Sequence, residues 1–479
     1  MNYRMISYVL GWIMVFEAAF MAVPLITAAV FAEGNSALWF GVSAAVWLVM
    51  GGLLILIKKP QNKRLFSREG FVIVALSWIL LSLFGALPLF LSGAIPSFID
   101  ALFETVSGFT TTGASILSDV EALPKSMIMW RSFTHWVGGM GVLVFIMAFL
   151  PLSGGQNMHI MKAESPGPSV SKLVPRVKTT ALLLYSIYFV LTLAEFVLLL
   201  CGGMTGFEAL NTAFATAGTG GFGFYNDSMA GFSPYIQIVV TVFMLLFSIN
   251  FNSYFFLLNR KFREAFNTEV VVFLIIVAAA IAILTFDNID LYPASGDALR
   301  HSAFTVASLI STTGFSTVDF NVWSELSRTI IIIIMFIGAC AGSTGGGIKV
   351  SRIIILFKSL GKELRVMVHP KQIKKIKIDK RPVEHETVRS VCTYMVAFIV
   401  VFVISLVVIS FENHDLITNF TAVTATINNI GPGLELVGPT ANFSFFSVPS
   451  KIVLIFDMLA GRLELFPMLM LFSPATWKK

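Results

Sequence analysis

The stretch FETVSGFTTTGAS at residues 103–115 decides the fold, because a short, moderately polar segment ends at Gly113 between two long apolar runs. The same arrangement occurs three more times, in LNTAFATAGTGGFG at 210–223, FTVASLISTTGFST at 304–317 and FTAVTATINNIGPG at 420–433. The corresponding glycines are Gly220, Gly314 and Gly431, and the successive intervals from Gly113 are 107, 94 and 117 residues. A repeat of apolar run, short loop with Thr and Gly, and apolar run allows one chain to surround a central ion pathway.

The composition is that of a membrane protein. Of the 479 residues, 56% are hydrophobic and only 13% are charged, and the mean hydropathy is +0.83. A membrane-spanning helix needs roughly 20 apolar residues, and apolar runs such as 330–341 and 394–411 are typical of such helices. These runs are too long for the weak alternation of a membrane barrel. The predicted fold class is therefore an all-α polytopic membrane protein.

Neither the cysteines nor the first apolar run indicates a secreted protein. Cys201, Cys340 and Cys392 are odd in number and widely spaced, which supports neither a disulfide framework nor a zinc site. The run 5–31 follows a single Arg4, but it is too long for the apolar region of a signal peptide. A second apolar run follows it at once, so we expect a retained helix.

Positive charge is segregated along the chain. Of the 33 Lys and Arg residues, 27 lie at Arg4, in 58–69, 162–178, 260–263 and 349–389, and at Lys478 and Lys479. Because basic loops resist translocation, these segments are predicted to face the cytoplasm, as are both termini. The connections between them are acidic, which either concentrates cations at an outer entrance or only reflects the exclusion of basic residues from outer loops.

The basic stretch 349–389 is predicted to be a solvated cytoplasmic loop that contacts anionic membrane lipids. Its lysines at 374, 375 and 377 lie beside a membrane run and lack interleaved aromatic residues. We therefore expect no nucleic-acid binding.

The apolar runs divide the chain into an N-terminal two-helix unit, 1–69, and four units at 70–178, 179–267, 268–390 and 391–479. The N-terminal unit contains helices 5–31 and 37–57, and the four units that follow it are counted as the first to the fourth. Each later unit is predicted to contain a helix, a re-entrant segment and a second helix, with these bounds: 70–93, 98–116 and 127–150; 179–201, 205–223 and 232–258; 268–286, 297–316 and 328–357; 391–411, 415–433 and 445–472.

The re-entrant segments are too brief and too polar to span a membrane. Each has room for about three helical turns before the glycine, and irregular backbone at that depth survives only where it lines water or is buried in protein. Helix C-termini pointing at one axis would favour a cation there, and glycine lets carbonyl oxygens turn inward. The predicted lining carbonyls belong to Thr111, Thr112 and Gly113; Gly218, Thr219 and Gly220; Thr312, Thr313 and Gly314; and Asn429, Ile430 and Gly431. The alternative, four glycines that only pack helices, does not account for the glycine and proline pairs that follow the short segments.

A second glycine-rich stretch, GACAGSTGGG at 338–347, interrupts the last helix of the third unit. Five glycines in ten residues do not sustain a stable helix. A phosphate-binding loop is disfavoured, because Ile348 and Lys349 follow it and no strand precedes it. Close helix packing is one interpretation. The other is a flexible gate beneath the re-entrant loops, made of Gly342, Ser343, Thr344, Gly345, Gly346 and Gly347.

Arg462 lies midway along the last apolar run. A cation at that depth is costly and usually faces a cavity or a carboxylate. Glu464 is two positions further and is predicted to face elsewhere on the helix. The hypothesis is that Arg462 points into the pathway as an electrostatic barrier near the glycine-rich stretch.

With its four glycine loops, the chain resembles the Trk/Ktr superfamily of potassium transporters over essentially its full length. The initial helical pair and the length are similar to the TrkH-type branch. The resemblance implies a pseudo-fourfold pore with a potassium filter reduced to single glycines, and K+ as the transported ion. It also implies a gating role for 342–347 and Arg462, a homodimer in the bacterial inner membrane, and a cytosolic nucleotide-binding regulator of the TrkA type. The fourth loop departs from the pattern with Asn428, Asn429 and Ile430, so the filter is asymmetric and its preference for potassium is open.

Other classes of function are less favoured. The sequence has no His-Glu-x-x-His or Gly-x-Ser-x-Gly motif, and its six histidines are scattered, so we expect neither an enzyme nor an organic cofactor. The four units run in the same orientation, which disfavours inverted repeats. Proton- or sodium-coupled transport stays open as the alternative, because the sequence places no acidic residue at mid-membrane depth in an obvious relay. Glu17 and Glu195 lie in apolar runs outside the re-entrant segments, where helix packing is the simpler interpretation.

Overall fold

The computed structural model describes residues 1–57, 60, 66–141, 177–370 and 375–478. In chain order its helices are α1 (Tyr3–Phe20), α2 (Ala22–Val30), α3 (Gly34–Ile57), α4 (Ser67–Gly85), α5 (Leu87–Leu91), α6 (Phe98–Phe109), α7 (Lys125–Gly139), α8 (Val177–Cys201), α9 (Gly206–Gly218), α10 (Pro234–Ser248), α11 (Phe251–Leu258), α12 (Phe262–Ala265), α13 (Thr268–Asp287), α14 (Ser295–Ile310), α15 (Glu325–Phe336), α16 (Val350–Val368), α17 (His385–Ile409), α18 (Leu416–Ile427), α19 (Val448–Arg462), α20 (Phe466–Phe472) and α21 (Pro474–Trp477). One two-residue hairpin, β1 (Lys377–Ile378) with β2 (Arg381–Pro382), provides the strands of the described segments.

The prediction of an all-α polytopic membrane protein is confirmed. Within the described residues, six helices are long and apolar enough to cross a membrane, or seven if the bent pair α10 and α11 is counted as one span. The division into a helical pair and four units stays a prediction. The part of the first unit's second helix predicted at 142–150 lies outside the described residues.

The predicted helices 5–31 and 70–93 have short breaks but remain single spans, whereas two other predicted helices bend sharply or end where the sequence shows no strong signal. The helix predicted at 232–258 bends by 92° between α10 and α11, where Asn250 caps the new helix by accepting a hydrogen bond from the amide of Asn252. The helix predicted at 445–472 ends at Arg462, because Glu464 and Leu465 take positive φ values of 55° and 66° before α20 begins. Both predictions of a continuous helix are therefore wrong.

The initial helical pair packs closely through glycines. A Cβ on Gly11 of α1 would lie 2.9 Å from the carbonyl oxygen of Gly51 in α3, and the converse distance is 2.7 Å. Small residues at a crossing let two helix backbones approach in this way. The pair joins the apolar core that also contains side chains of α4, α6, α17 and α19.

The helices of the four re-entrant segments, α6, α9, α14 and α18, are called the short helices. Each of them contacts the helix that follows the re-entrant segment of the preceding unit: α9 contacts α7, α14 contacts α10, α18 contacts α15, and α6 contacts α19. Because the last of these contacts joins the first unit to the fourth, the contacts form a closed ring. This arrangement brings the C-termini of the short helices, and the loops that follow them, together.

Candidate ion pathway

The short helices begin at capping residues. Ser97, Thr205 and Asp415 each accept a hydrogen bond from a backbone amide in the first turn of α6, α9 and α18. Such a cap satisfies an amide that has no partner within the helix. In these three segments the charged or hydroxylic residue before the helix marks its start, whereas α14 follows Ala294, which makes no side-chain cap.

The loops after the short helices share one backbone conformation. A residue with positive φ follows each helix, and a glycine with positive φ comes two residues later. The first set is Thr111, Thr219, Thr312 and Asn429, with φ of 56°, 55°, 61° and 55°. The second set is Gly113, Gly221, Gly314 and Gly431, with φ of 79°, 72°, 86° and 98°.

In the second loop the sequence-based assignment is one residue too early. The amide of Gly220 donates to the carbonyl of Ala215. The equivalent bonds in the other loops run from Thr112 to Ser107, from Thr313 to Ser308 and from Ile430 to Ala425. Thr219, Gly220 and Gly221 therefore correspond to Thr111, Thr112 and Gly113, and the predicted Gly218 is the last residue of α9. Only the backbone torsions show which glycine of the Gly220–Gly221 pair takes the positive φ.

Each loop glycine lies against a carbonyl of the next loop. A Cβ on Gly113 would overlap the oxygen of Gly220, one on Gly221 that of Thr313, and one on Gly314 that of Ile430. A Cβ on Gly431 would lie 2.8 Å from the oxygen of Thr112, which returns to the first loop. The four loops thus form a closed ring in chain order. Glycine is required at all four positions, both by the torsion angle and by the neighbouring backbone.

The carbonyl oxygens in this ring have no hydrogen-bond partner among the residues that the structure describes. Within the described part of the chain, none of the carbonyls of Thr112, Gly220, Thr313 and Ile430 accepts a hydrogen bond. All four residues are buried. Buried backbone carbonyls are normally paired with protein, water or an ion. A ring of unpaired oxygens is therefore suited to replacing the hydration shell of a cation.

One cavity opens onto the ring from the side of the loops that follow the glycines. Its lining includes Gly113, Gly221, Gly314 and Gly431 together with polar residues such as Asn226. The side-chain amide of Asn226 donates to Asp119 at 2.9 Å and holds the pKa of that carboxyl below its usual value. The carboxylate of Asp119 is therefore charged at neutral pH beside this entrance.

The segment 337–349 separates α15 from α16 and is the predicted gate stretch. Ile337 and Ile348 pair as a parallel bridge, and the amide of Gly338 donates to the carbonyl of Ile348 at 2.9 Å, so the segment closes on itself as a loop. We call 338–347 the gate loop. It contains all six predicted gate residues, and four of these are buried: Ser343, Thr344, Gly345 and Gly346, with Gly342 and Gly347 half-buried.

The gate loop contacts three of the four units. Thr344 donates through Oγ1 to the carbonyl of Phe247 at 3.1 Å, and Gly342 accepts from the amide of Phe251 at 3.0 Å. The amide of Gly346 donates to Oγ1 of Thr312 at 2.6 Å. A Cβ on Gly346 would lie 2.5 Å from the carbonyl oxygen of Asn428, beside the fourth loop.

Arg462 completes this layer by contacting the first unit. Its guanidinium donates to the carbonyl of Thr344 at 2.8 Å, to that of Gly139 at 2.7 Å and to that of Gly138. It also lies 5.8 Å from the ring centre of Trp78. Arg462 does not lie in the middle of a continuous helix as predicted, since it is the last residue of α19. The end of the helix lets the side chain bridge the gate loop and α7.

Comparison with known proteins identifies the family of this chain. A family model for TrkH, described as a cation transport protein, matches residues 40–479. The chain belongs to the TrkH family. It is 35% identical to the Trk system potassium uptake protein TrkH of Halomonas elongata and to that of Escherichia coli K12, over 100% of each chain. It is 32% identical to the Trk system potassium uptake protein TrkG of Escherichia coli K12, over 99% of both chains. The crystal structure of the potassium transporter TrkH from Vibrio parahaemolyticus matches with a TM-score of 0.89 and 32% identity, over 100% of both chains. The resemblance inferred from the sequence is thereby confirmed.

An ion pair that the sequence analysis missed lies behind the first loop of this TrkH-family chain. Arg131 of α7 contacts Glu104 of α6 at 2.7 Å, and both side chains are almost fully buried. Glu104 also accepts from the hydroxyl of Ser115 at 3.0 Å and the amide of Ile116 at 3.0 Å, just after Gly113. The carboxylate thus ties the short helix, the loop exit and α7 together. Both charges stand in predicted membrane segments, and that is the signal that could have identified them.

A second group of charges follows the gate loop. Lys349 donates to the carbonyls of Gly345 and Gly346, and Arg352 pairs with Glu464. The guanidinium of Arg352 also lies 3.9 Å from the ring centre of Tyr394. Glu464 was predicted to face elsewhere than Arg462 on a continuing helix; the helix ends before it, and the chain turns at Glu464 so that its carboxylate points at α16. The helix that follows the gate loop is therefore connected by an ion pair to Glu464, two residues after Arg462.

Proposed function

We propose that this protein takes up K+ across the bacterial inner membrane through a filter of backbone carbonyls. The observation that carries the proposal is the closed ring, in which every loop glycine packs on an unpaired carbonyl of the next loop. Carbonyl rings of this kind replace the water shell of an alkali ion. The names of the relatives, which are potassium uptake proteins and a potassium transporter, support K+ as the transported ion.

In this proposal the filter consists of the loop residues that are equivalent by their φ values and backbone hydrogen bonds. Its oxygens come from Thr111, Thr112 and Gly113; Thr219, Gly220 and Gly221; Thr312, Thr313 and Gly314; and Asn429, Ile430 and Gly431. The short helices end at these loops, so their negative dipole ends add to the attraction for a cation. The carboxylate of Asp119, beside the cavity that opens onto the ring, also attracts cations and raises their local concentration.

The gate in this proposal is the gate loop together with Arg462. The two elements contact all four units, at Gly138, Phe247, Thr312 and Asn428. The guanidinium places a fixed positive charge in this layer. A like charge at 4 Å costs a permeating cation about 4 kcal/mol at an effective dielectric constant of 20. Ion passage therefore requires that the gate loop and Arg462 move apart.

We extend the proposal to assembly and control. The chain works as a homodimer with a cytosolic nucleotide-binding regulator of the TrkA type, its basic segments face anionic lipid headgroups, and both termini are cytoplasmic. The family resemblance supports the dimer and the regulator. The basic residues Lys358, Lys362 and Arg365 on α16, next to the exposed apolar Leu360 and Leu364, support the lipid contact.

Coupled transport is the second candidate, and three buried carboxyl groups favour it. Glu17, Glu195 and Asp457 lie in the apolar helices α1, α8 and α19 and are fully or almost fully buried. Asp457 accepts a hydrogen bond from the hydroxyl of Ser405 at 2.7 Å. Ionisable groups inside a membrane are costly and often functional. Uptake driven by a proton or sodium gradient would use such groups.

Two measurements test the proposal. Expression of the chain should restore growth of a potassium-uptake-deficient bacterium on low potassium, and purified protein in vesicles should carry K+ and Rb+. The vesicle flux is measured with and without an imposed proton or sodium gradient. A flux that follows only the potassium gradient supports the filter and gate mechanism, whereas uptake against that gradient favours coupling. Absence of both growth and flux, with protein present in the membrane, refutes the proposal.

A further inference from the structure

The four residues with positive φ before the loop glycines differ in what their side chains contact. The hydroxyl of Thr111 has no partner among the described residues, and that of Thr219 donates to the adjacent carbonyl of Gly218 at 2.6 Å. The hydroxyl of Thr312 instead accepts the amide of Gly346, in the gate loop, at 2.6 Å. The backbone of these positions is equivalent, but among the described residues only the third loop places a hydroxyl on the gate loop.

The contact between Thr312 and Gly346 is fully enclosed. Thr312 has no exposed surface, and Gly346 is buried. A side chain on Gly346 would collide with the carbonyl of Asn428, and one on Gly345 would lie 2.8 Å from the oxygen of Ser311. The gate loop is thus pressed against the third and fourth loops, and no room for water separates the Gly346 amide from the Thr312 hydroxyl.

We propose that the Thr312 hydroxyl is the latch that holds the gate loop closed against the filter, so that one residue joins ion selection to gating. This inference rests on the proposed gate. In the closed arrangement the Gly346 amide has Thr312 as its partner. When the loop moves away, that amide reaches water and the hydroxyl is released inside the third loop. Gate opening therefore alters a hydrogen bond of a filter residue.

The sign of the effect follows from the buried amide. If the hydroxyl is removed, the Gly346 amide is unsatisfied in the closed arrangement but solvated in the open one. An unsatisfied buried donor then favours the open arrangement by about tenfold, which corresponds to about 1.4 kcal/mol. Thr312 is a positioning residue in this scheme, because its side chain acts through the gate loop.

The test compares full-length variants in vesicles that lack any regulator, with Rb+ flux and the ratio of K+ to Na+ flux as readouts. Thr312→Val is isosteric and keeps the branching that the positive φ already tolerates, so only the hydroxyl is lost. We expect it to raise Rb+ leak about tenfold and Thr312→Ser to restore the wild-type leak. Thr312→Ala, which also lacks the hydroxyl, replaces the valine variant if that one does not fold.

Thr111→Val is the matched comparison, since it removes a hydroxyl from the equivalent position of the first loop. Any change it causes reports on the filter alone, and we expect its leak to stay well below that of Thr312→Val. Arg462→Ala is the positive control for the gate. Because both changes open the same gate, the double variant of Thr312→Val and Arg462→Ala should leak less than the product of the single effects.

The outcomes separate this inference from the proposed function. If Arg462→Ala leaks and Thr312→Val leaks no more than Thr111→Val, the latch is refuted and the gate stands. Equal leak in Thr312→Val and Thr312→Ser also refutes the latch, since side-chain shape would then matter and the hydroxyl would not. If neither Arg462→Ala nor Thr312→Val leaks in a protein that transports, the proposed gate itself is wrong.

Discussion

The register of the second loop can be tested with two neighbouring glycines. Gly221→Ala places an alanine at φ 72° and its Cβ onto the carbonyl of Thr313. Gly220 has no positive φ, and the three nearest atoms to its added Cβ all belong to the ring of His135. Both substitutions should be damaging, but for different reasons, so a second change at His135 should distinguish them.

The magnitudes follow from these contacts. A left-handed conformation costs an ordinary residue roughly 1–2 kcal/mol, which alone is a factor of about five to thirty in the population of the native loop. For Gly221→Ala the Thr313 carbonyl must also shift until at least 3.0 Å separates it from the Cβ, and that moves a proposed ligand oxygen. For Gly220→Ala the obstacle is one buried side chain, and His135→Ala removes it. His135→Ala has its own cost of about 2–5 kcal/mol in lost packing, so it is the reference for both double variants.

The assay is Rb+ uptake by vesicles containing each purified variant, together with growth on low potassium. We expect Gly220→Ala to lose most of its uptake and the double variant with His135→Ala to match His135→Ala alone. Gly221→Ala should lose at least tenfold and gain nothing from His135→Ala. Elution from a sizing column and the thermal midpoint in detergent control for folding. If His135→Ala rescues Gly221→Ala, or fails to rescue Gly220→Ala, the assignment of Gly221 to the ring is wrong.

Three further predictions follow. Arg462→Ala should raise basal cation flux in vesicles, because it removes the charged guanidinium that donates to the carbonyls of Thr344 and Gly139. Unchanged flux would show that Arg462 is not part of the gate. Glu104→Gln should lower the free energy of unfolding by about 3–5 kcal/mol, because it leaves the Arg131 charge buried without its counter-charge. A thermal midpoint in detergent within about 1 °C of wild type would contradict this, and replacing both residues by methionine should cost less than Glu104→Gln. K+ should raise the thermal midpoint of the protein more than Na+ does at equal concentration, because an ion that binds only the folded filter stabilises the folded state. Equal shifts from the two ions would argue against a selective site.

The sequence predicted the parts of this fold that depend on local chemistry. The four short segments and the glycine-rich interruption before α16 follow from composition and spacing within about twenty residues. The break at 338–347 was predictable because five glycines remove helix propensity regardless of the surroundings.

Nonlocal contacts decided what the sequence could not show. The bend after Ser248 and the turn at Glu464 contain ordinary residues, so nothing local indicated a break. Glu464 takes a positive φ, and its carboxylate pairs with Arg352, which is 112 residues earlier in the chain. The pair of Glu104 and Arg131 is likewise formed by two helices whose approach the sequence does not specify. Such positions are set by partner elements, and a local pattern carries no information about them.

The four loops share a similar backbone but carry different side chains at the first position with positive φ. Threonine is unfavourable at positive φ because of its branched Cβ, and each such residue costs about 1–3 kcal/mol. The surrounding structure must therefore hold Thr111, Thr219 and Thr312 in place, whereas asparagine adopts that conformation at lower cost. Asn429 uses this freedom to donate through Nδ2 to Thr112 Oγ1 at 2.9 Å and to the carbonyl of Met458 at 2.9 Å, four residues before Arg462.

The third and fourth loops therefore contact the gate elements that their own units supply. Thr312 holds the gate loop of the third unit, and Asn429 holds the helix that carries Arg462 in the fourth. The φ values are similar in all four loops although these side chains differ, so the ring of oxygens does not depend on their identity being the same in each loop. Asn429→Thr would make the fourth loop match the third in side chain, and it should disturb gating through the Met458 contact more than it changes the K+ to Na+ flux ratio. A variant with altered selectivity and unchanged leak would contradict this division between backbone and side chains.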